Sequence, residues 1–321
     1  MITSSPEPCY DHSPPMPVSD AELTTLAASH DIITLGMHAD EARRQRHGAR
    51  TTFVRVAELL ADPDAATDWP PAAREIRITG TVLTRKAAVA RVGAAVRVAR
   101  GVPVSAFSLA DLEVLAAREQ ITLRALLEEL RAAGLELVSE APLDRLQDAR
   151  RAIEEVNIAG LALARLTIHQ LPATDSTDLL KQVVALQRVV GVIRAFAPLP
   201  RHVNPAVPTT GYEDVKRVAL ARLLVHNVPS IQVDWALYGP KLAQVALTVG
   251  ADDVDAVSPI DDMSEGRRRA PLEEIRRNIR AAGLEPIERD GRFQPIAAFI
   301  DSPDSVGSSR SRAEGGSGVV E

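Results

Sequence analysis

Acid–base side chains stand close to the predicted ends of several apolar segments in this sequence. His169, His202, Asp234 and Lys241 are the four candidate catalytic residues. Imidazole, carboxylate and ammonium groups can exchange protons with a substrate when a fold holds them within hydrogen-bond reach of it. His169 ends an apolar run, so it either contacts a ligand or is a half-buried residue satisfied by a neighbour. The Gly-x-Ser-x-Gly, Walker A, Gly-x-Gly-x-x-Gly and His-Glu-x-x-His motifs are all missing from the sequence.

Two further segments carry hydrogen-bond donors in positions suited to an anion. The run Pro200–Pro205 contains Arg201, His202 and Asn204 and fits a carboxylate or phosphate; the alternative is a proline-stiffened surface loop. Gly239-Pro240-Lys241 is predicted to begin a helix, because proline is tolerated in a first turn. Lys241 would then either bind an anion with the first backbone donors or be a solvated lysine.

The acidic residues receive structural interpretations. Asp234 is predicted to lie inside a strand and to pair with an arginine, such as Arg165 or Arg194, because an unpaired buried carboxylate is costly. A second acidic group lacks the glycine and final glutamate of a calcium loop and is predicted to be a solvated loop; it comprises Asp252, Asp253, Asp255, Asp261 and Asp262. Arg267–Arg269 is predicted to be a solvated basic turn, or alternatively to dock on an acidic partner. No metal site is predicted.

The elements that must position these residues alternate between helical and strand-like patterns. Between the predicted helices, β-branched or apolar runs predict strands. The predicted strands are 51–56, 75–80, 102–107, 135–138, 162–169, 192–197 and 231–237. The phrase Arg-Ala-Ala-Gly-Leu-Glu occurs at 131–136 and at 280–285, each time as a helix end closed by glycine. Strands separated by helices predict a parallel sheet, and about seven units favour a TIM-type (β/α) barrel, complete or partial. An open doubly wound sheet is the alternative.

Composition limits the classes of protein to which this chain can belong. The net charge of −6 argues against binding to nucleic acid or to an anionic membrane. The single cysteine, Cys9, excludes an internal disulfide and is interpreted as incidental. No signal peptide and no uncharged apolar stretch of membrane-spanning length is recognised, so a cytoplasmic protein is expected. Residues 1–18 and 301–321 are predicted to be a disordered leader and tail around a single domain spanning 19–300.

Several stretches resemble aminofutalosine synthase, a radical S-adenosylmethionine enzyme of the futalosine route to menaquinone, and its relatives dehypoxanthine futalosine cyclase and the deazaflavin-forming synthases. The resemblance covers most of residues 20–290. It is carried by Asp31–Gly36, His47–Phe53, Glu75–Gly80, Ala195–Leu199, Pro208–Lys216, Trp235–Val245 and Gly250–Asp255. It implies a radical S-adenosylmethionine barrel whose strand ends form the functional face.

This chain departs from the family's pattern at the residues that carry the chemistry. In the family, the loop after the first strand holds a Cys-x-x-x-Cys-x-x-Cys motif that binds a 4Fe–4S cluster. Here that loop, residues 57–71, contains no cysteine, so no cluster is expected. The glycine pair that approaches S-adenosylmethionine is reduced to Thr79-Gly80-Thr81, and the Gly-His-x-Glu-like segment to Ile168-His169-Gln170, which argues against binding of that cosubstrate.

We therefore expect a cluster-less homologue that acts as a partner, scaffold or ligand-binding protein in menaquinone biosynthesis. An intact radical S-adenosylmethionine homologue and a small nucleoside-like ligand are the expected partners. The alternative is a repurposed non-radical enzyme, a transferase or lyase acting on a nucleoside or chorismate-derived acid. The predicted ligand-binding residues lie at the strand ends; they are Thr79, Gly80, Phe107, Thr167, His169, Arg201, His202, Asn204, Trp235 and Lys241.

Overall fold

The computed structural model describes residues 25–26, 28–62, 64–171, 176–202, 211–261 and 270–296. Strands and helices alternate along these residues, as the sequence predicts. The strands are β1 (Arg50–Leu60), β2 (Glu75–Thr79), β3 (Val104–Ser108), β4 (Leu137–Pro142), β5 (Ala162–Leu163), β6 (Leu166–Ile168), β7 (Ala195–Pro200), β8 (Ser230–Asp234), β9 (Asp253–Val257) and β10 (Glu285–Glu288). The helices are α1 (Ile32–His47), α2 (Arg85–Val98), α3 (Leu109–Arg118), α4 (Leu123–Ala132), α5 (Ala149–Ile158), α6 (Ser176–Val190), α7 (Gly211–Leu224), α8 (Trp235–Thr248) and α9 (Pro271–Ala281).

The sheet closes into a parallel barrel. Neighbouring strands pair in the order β1, β2, β3, β4, β6, β7, β8 and β9, and β9 pairs back with β1. The short β5 also pairs with β4, so β5 and β6 together occupy one interrupted strand position. Eight positions therefore form a complete TIM-type barrel with helices around it, and the open doubly wound alternative is wrong. β10 adds to the first half of β1, outside the ring.

Helix ends follow the predicted local signals. Asp31 caps α1 through hydrogen bonds from the backbone of residues 33 and 34, and Gly48 follows the helix. The two repeated glycines, Gly134 and Gly283, follow α4 and α9 with φ of 101° and 74°, so the repeated phrase does mark two helix ends. Gly239, with φ of 74°, interrupts α8, and Pro240 starts its second part as predicted.

Two strand predictions need correction. The strand predicted at 231–237 ends at Asp234, because the Asp234 carboxylate accepts the backbone N–H of Leu237 and so caps α8. No strand was predicted at 253–257, where β9 lies. The supposed solvated loop of Asp252, Asp253 and Asp255 is thus wrong, since these three residues are only 4%, 0% and 1% exposed.

Apolar and polar residues separate across the barrel wall. Ile76 and Ile78 of β2 pack outward into the layer that also contains Val92 of α2, and all three are fully buried. Arg77 lies between them in sequence and points to the opposite face, into the barrel, because side chains alternate along a strand.

Some predictions fall on residues outside the described part of the chain. They concern the predicted leader and tail, Cys9, Asn204, Asp262 and Arg267–Arg269. In the described part of the chain, no helix has the length and apolar character that crossing a membrane requires.

Candidate functional site

A histidine–carboxylate pair lies at the C-terminal end of the barrel. Glu140 belongs to β4 and His169 directly follows β6, and the Nε2 atom of His169 lies 2.9 Å from Glu140 Oε1. The backbone N–H groups of His169 and Gln170 donate to the Asp144 carboxylate at 2.7 and 2.9 Å. These bonds hold the turn after β6, so the imidazole is positioned by both its backbone and its side chain.

The protonation of this pair follows from its surroundings. Burial raises the pKa of Glu140, but the hydrogen bond from His169 and the charges of Arg165 and Arg201 outweigh burial and bring the pKa to about 2. Glu140 is therefore a carboxylate that only accepts hydrogen bonds, which places the proton of neutral His169 on Nε2. The Nδ1 atom then carries a lone pair; it is buried and has no partner among the described residues.

Arg201 links this pair to the end of β8. Its guanidinium lies 3.5 Å from Glu140 Oε2 and also pairs with Asp234. The predicted ion pair between Asp234 and an arginine is therefore present, but neither of the two arginines suggested for it, Arg165 and Arg194, is the partner. Arg165 pairs with Asp255 instead, and Arg194 donates to the carbonyl of Arg292.

A second layer of charge lies deeper in the barrel. Asp255 of β9 accepts two hydrogen bonds from Arg77 of β2, at 2.9 and 3.0 Å, and pairs with Arg165 at 2.7 Å. Arg77 also contacts Glu75, whose carboxylate accepts a 2.6 Å bond from Ser105. Since β2, β9 and the β5–β6 position are not adjacent in the ring, these contacts cross the interior. Burial opposes the charge on Asp255, and the two arginines overcome it and hold its pKa well below the usual range.

Some buried polar atoms near the strand ends have no partner among the described residues. They include Ser108 Oγ at the end of β3, Thr167 Oγ1 in β6 and Arg165 Nε just before β6. Thr167 is completely buried, and an unpartnered hydroxyl there is costly unless water or a ligand bonds to it. With His169 Nδ1, these atoms offer two hydroxyls, one N–H donor and one acceptor to a small polar molecule.

The structure brings together five of the predicted residues: Thr167, His169, Arg201, His202 and Asp234. The His202 ring packs edge-on against the His169 ring at 4.9 Å between centroids, although His202 itself is exposed. Lys241 is exposed on α8 and makes no hydrogen bond or ion pair with this group of described residues, so the structure does not join it to the other three catalytic candidates.

The other predicted ligand-binding residues occupy the strand ends separately. Thr79 ends β2 half-buried, Gly80 follows it with φ of 94°, and Trp235 is buried at the start of α8. Phe107 is buried in β3 with φ of 60°, a strained conformation for a bulky residue.

Three contributors were missed by sequence reasoning. Glu140, Ser108 and Tyr238 are not among the predicted site residues. Tyr238 donates a hydrogen bond to the carbonyl of Pro200, and burial together with Asp214 raises the pKa of its hydroxyl. Glu140 could have been recognised from the sequence, because it lies near the end of the fourth strand and His169 lies at the end of the next one.

The loop between β1 and β2 has a structural role in this chain. The buried guanidinium of Arg91, in α2, donates to the carbonyls of Leu60, Ala65 and Ala66 at 2.7 to 3.0 Å. The Trp69 indole donates to the carbonyl of Val98 at 3.1 Å. The loop has no cysteine, and the described residues contain no group of three or more His, Cys, Asp or Glu side chains able to hold a metal. The side chains present do not fit an iron–sulfur cluster.

Comparisons with known proteins place this geometry in context. Residues 199–300 match the family described as the CofH/MqnC C-terminal region. The aminodeoxyfutalosine synthase of Thermus thermophilus is 27% identical over 231 residues, covering 62% of this chain and 62% of that enzyme. A 5-amino-6-(D-ribitylamino)uracil–L-tyrosine 4-hydroxyphenyl transferase of Methanosarcina barkeri is 36% identical over 99 residues, covering 29% of this chain and 26% of that protein. The chain thus aligns with less than two thirds of the length of these relatives.

Solved structures agree on the fold. Methylornithine synthase (PylB) superposes with a TM-score of 0.61 at 15% identity, covering 85% of this chain and 95% of that one. The maturase HydG of Carboxydothermus hydrogenoformans superposes with a TM-score of 0.57 at 13% identity, covering 84% of this chain and 76% of that one. The sequence matches confirm the resemblance to the aminofutalosine synthase-like group of radical S-adenosylmethionine proteins.

Proposed function

We propose that this protein is a cluster-less member of its group, which binds a small polar ligand at the barrel mouth and serves menaquinone biosynthesis without radical chemistry. The observation that carries the proposal is the β1–β2 loop. Arg91 and Trp69 hold this loop as a packed structural element that has no thiolate. Cluster irons need thiolates at close spacing, and without a cluster S-adenosylmethionine is not cleaved reductively.

The polar residues at the C-terminal end of the barrel, called the barrel mouth here, support the ligand-binding part of the proposal. Buried polar groups without a partner are rare in folded proteins, and the described residues of β3 and of the β5–β6 position, with His169 after it, include several. Hydroxyls, an N–H donor and an imidazole acceptor suit the hydroxyl and ring-nitrogen groups of a nucleoside. The futalosine-type nucleosides are the ligand class that the relatives' names bring to this proposal.

Anaerobic reconstitution with iron and sulfide tests the cluster-less assignment. We expect a colourless protein with substoichiometric iron and sulfide and no cleavage of S-adenosylmethionine. A brown protein with stoichiometric cluster and cleavage activity would contradict the proposal. Calorimetric titration with futalosine-type nucleosides, and co-purification with an intact radical S-adenosylmethionine homologue, address the ligand and the partner. A protein that binds neither has no support for a role in this route.

The Glu140–His169 pair favours a second candidate function, non-radical acid–base catalysis. A carboxylate that fixes the protonated nitrogen of an imidazole leaves the other nitrogen free to take a proton from a substrate. The candidate substrates are nucleosides and chorismate-derived acids.

Exchange of His169 distinguishes the second function from ligand binding alone. His169→Gln keeps an N–H donor for Glu140 but has no counterpart of Nδ1, and the exposed His38→Gln is the matched control. If the protein is an enzyme, His169→Gln should lose turnover of these compounds in air, because kcat falls while KM stays unchanged. His38→Gln should retain the turnover of the unmodified protein. No turnover by the unmodified protein across a metabolite panel would rule out this second function.

A further inference from the structure

A basic cleft lies at the opposite, N-terminal end of the barrel. It has a volume of about 1030 Å³ and lies between the end of α1, the starts of β7 and β8, and the segment 285–296. Its lining contains seven basic side chains, namely Arg44, Arg46, His47, Arg50, Arg194, Arg289 and Arg292, against two acidic ones, Asp252 and Glu285. The protein as a whole carries a charge of −6, so this local excess runs against the overall balance.

Several of these basic residues already have carboxylate partners. Arg44 pairs with Asp40, and Arg289 makes a two-point contact with Asp253. Arg292 makes a two-point contact with Glu136. The positions of Arg44 and His47 also follow from the end of α1, where cations stabilise the helix dipole. The fold therefore explains why these basic side chains are present, without any ligand.

Three guanidinium groups in the lining remain without a carboxylate partner among the described residues. Arg46 donates to the carbonyls of Val228 and His226, and Arg194 donates to the carbonyl of Arg292. A carbonyl positions a guanidinium but does not neutralise its charge. Arg50 is exposed at the start of β1, and its side chain makes no hydrogen bond or ion pair with the other described residues.

Among the described residues, neither acidic side chain of the lining forms an ion pair with these three arginines, although Glu285 on β10 is the register partner of Arg50. The Asp252 carboxylate pairs with the buried Arg222 and also accepts hydrogen bonds from Ser230 Oγ and the Ile231 backbone, both at 2.8 Å. Its charge is therefore already compensated within the fold. The cleft retains an excess of positive charge that an anion would satisfy.

The segment 285–296 also contributes an apolar, partly exposed wall to the cleft. Ile287, Phe293 and Ile296 are half-buried and line the cleft. Phe293 has φ of 63°, and the Arg289 guanidinium lies 3.8 Å from the centroid of its ring. The Asp290 carboxylate accepts the backbone N–H groups of Arg292 and Gln294, both at 2.9 Å, and so holds this turn in place. A strained aromatic residue held at the edge of a cleft is typical of binding sites.

From these features we propose that the N-terminal cleft binds a phosphorylated ligand of nucleotide size. Its phosphates contact Arg46, Arg50 and Arg194, and its ring system lies along the wall of Ile287, Phe293 and Ile296. Arginine presents a planar set of donors that matches phosphate oxygens. The volume suits a ligand larger than inorganic phosphate, since small-molecule pockets span about 300–1,000 Å³. This site is separate from the barrel mouth and does not depend on the function proposed there.

Binding of pyrophosphate and ADP to the full chain tests the site. We expect saturable 1:1 binding by calorimetry at constant ionic strength, with ADP bound more tightly than pyrophosphate because it also uses the apolar wall. The double variant Arg50→Gln/Arg194→Gln should weaken both ligands about tenfold or more, because it removes charge-assisted hydrogen bonds to phosphate. Both residues are exposed, so the melting temperature without ligand should not change.

The control removes the same charge elsewhere. Arg151→Gln/Arg188→Gln lies on the outer helices α5 and α6 at exposed positions. It should leave both affinities unchanged. Absence of saturable binding, or an equal loss in both double variants, would overturn the proposal. Citrate binding as tightly as pyrophosphate would overturn the assignment to phosphate.

Discussion

At the scale of single residues, the barrel interior depends on charges that neutralise each other across the ring. Asp255 lies between Arg77 and Arg165, and all three side chains are almost completely buried. Removing one member of such a group leaves the remaining charge without compensation in a medium of low dielectric constant. This cost exceeds the net stabilisation that the intact group provides.

Asp255→Asn keeps the shape of the side chain and removes its charge. We expect it to lower the free energy of unfolding by about 4 kcal/mol, because two buried guanidinium groups lose their counter-ion. Urea denaturation at neutral pH measures the change, and the exposed Asp68→Asn is the matched control. If the two variants unfold at the same urea concentration, the interior ion pairs do not hold the barrel as described.

The acidic residues near the end of the chain show what single-residue reasoning misses. Asp252, Asp253 and Asp255 look like a solvated group because their neighbours in sequence include no basic residue. Their partners are Arg222, Arg289 and Arg77, which other elements bring to them. Composition and spacing predicted the need for a partner at Asp234, but not which of many arginines would supply it.

At the scale of elements, the β1–β2 loop depends on one arginine from the next helix. Arg91→Lys keeps the charge but cannot reach three carbonyls with one ammonium group. We expect a loss of about 2 kcal/mol in the free energy of unfolding, since hydrogen bonds to charged groups are worth about 1.5–3 kcal/mol each. Amide exchange within 61–69 should become faster. Arg97→Lys, exposed on the same helix, should change neither quantity, and equal effects would contradict the role given to Arg91.

Most elements were predictable because their local signals agree with the fold. Glycines after helices marked the ends of α4 and α9, and β-branched or apolar runs placed β1 and β2 to within a few residues. The end of β8 was placed too late, because Trp235, Ala236 and Leu237 continue the apolar run of the strand. The cap formed by Asp234 decides that boundary. β9 was missed because alternating aspartates hid its apolar face.

At the scale of the whole molecule, about seven alternating units predicted a barrel, but only pairing of β9 with β1 establishes its closure. Five of the predicted residues do gather at one end, since parallel strands place their ends together; they are Thr167, His169, Arg201, His202 and Asp234. The charge layers inside and the basic cleft at the other end were not predictable. Both depend on which arginines of distant elements meet a carboxylate and which do not.

The same interior charges should make the stability of the whole barrel depend on pH. Glu140 has a pKa of about 2 in the folded protein against an ordinary value of 4.5, so the unfolded chain binds more protons in acid. This contribution is complete above about pH 5 and is lost as the pH falls through 4.5 towards 2, amounting to about 3 kcal/mol. Glu140→Gln still accepts a hydrogen bond from His169 but does not titrate, so its unfolding free energy should fall less steeply in this window. Denaturant titrations from pH 7 to 3 measure the slope. Glu154→Gln, on the surface of α5, should retain the slope of the unmodified protein, and a Glu140→Gln variant with that same slope would show that the depressed pKa does not stabilise the fold.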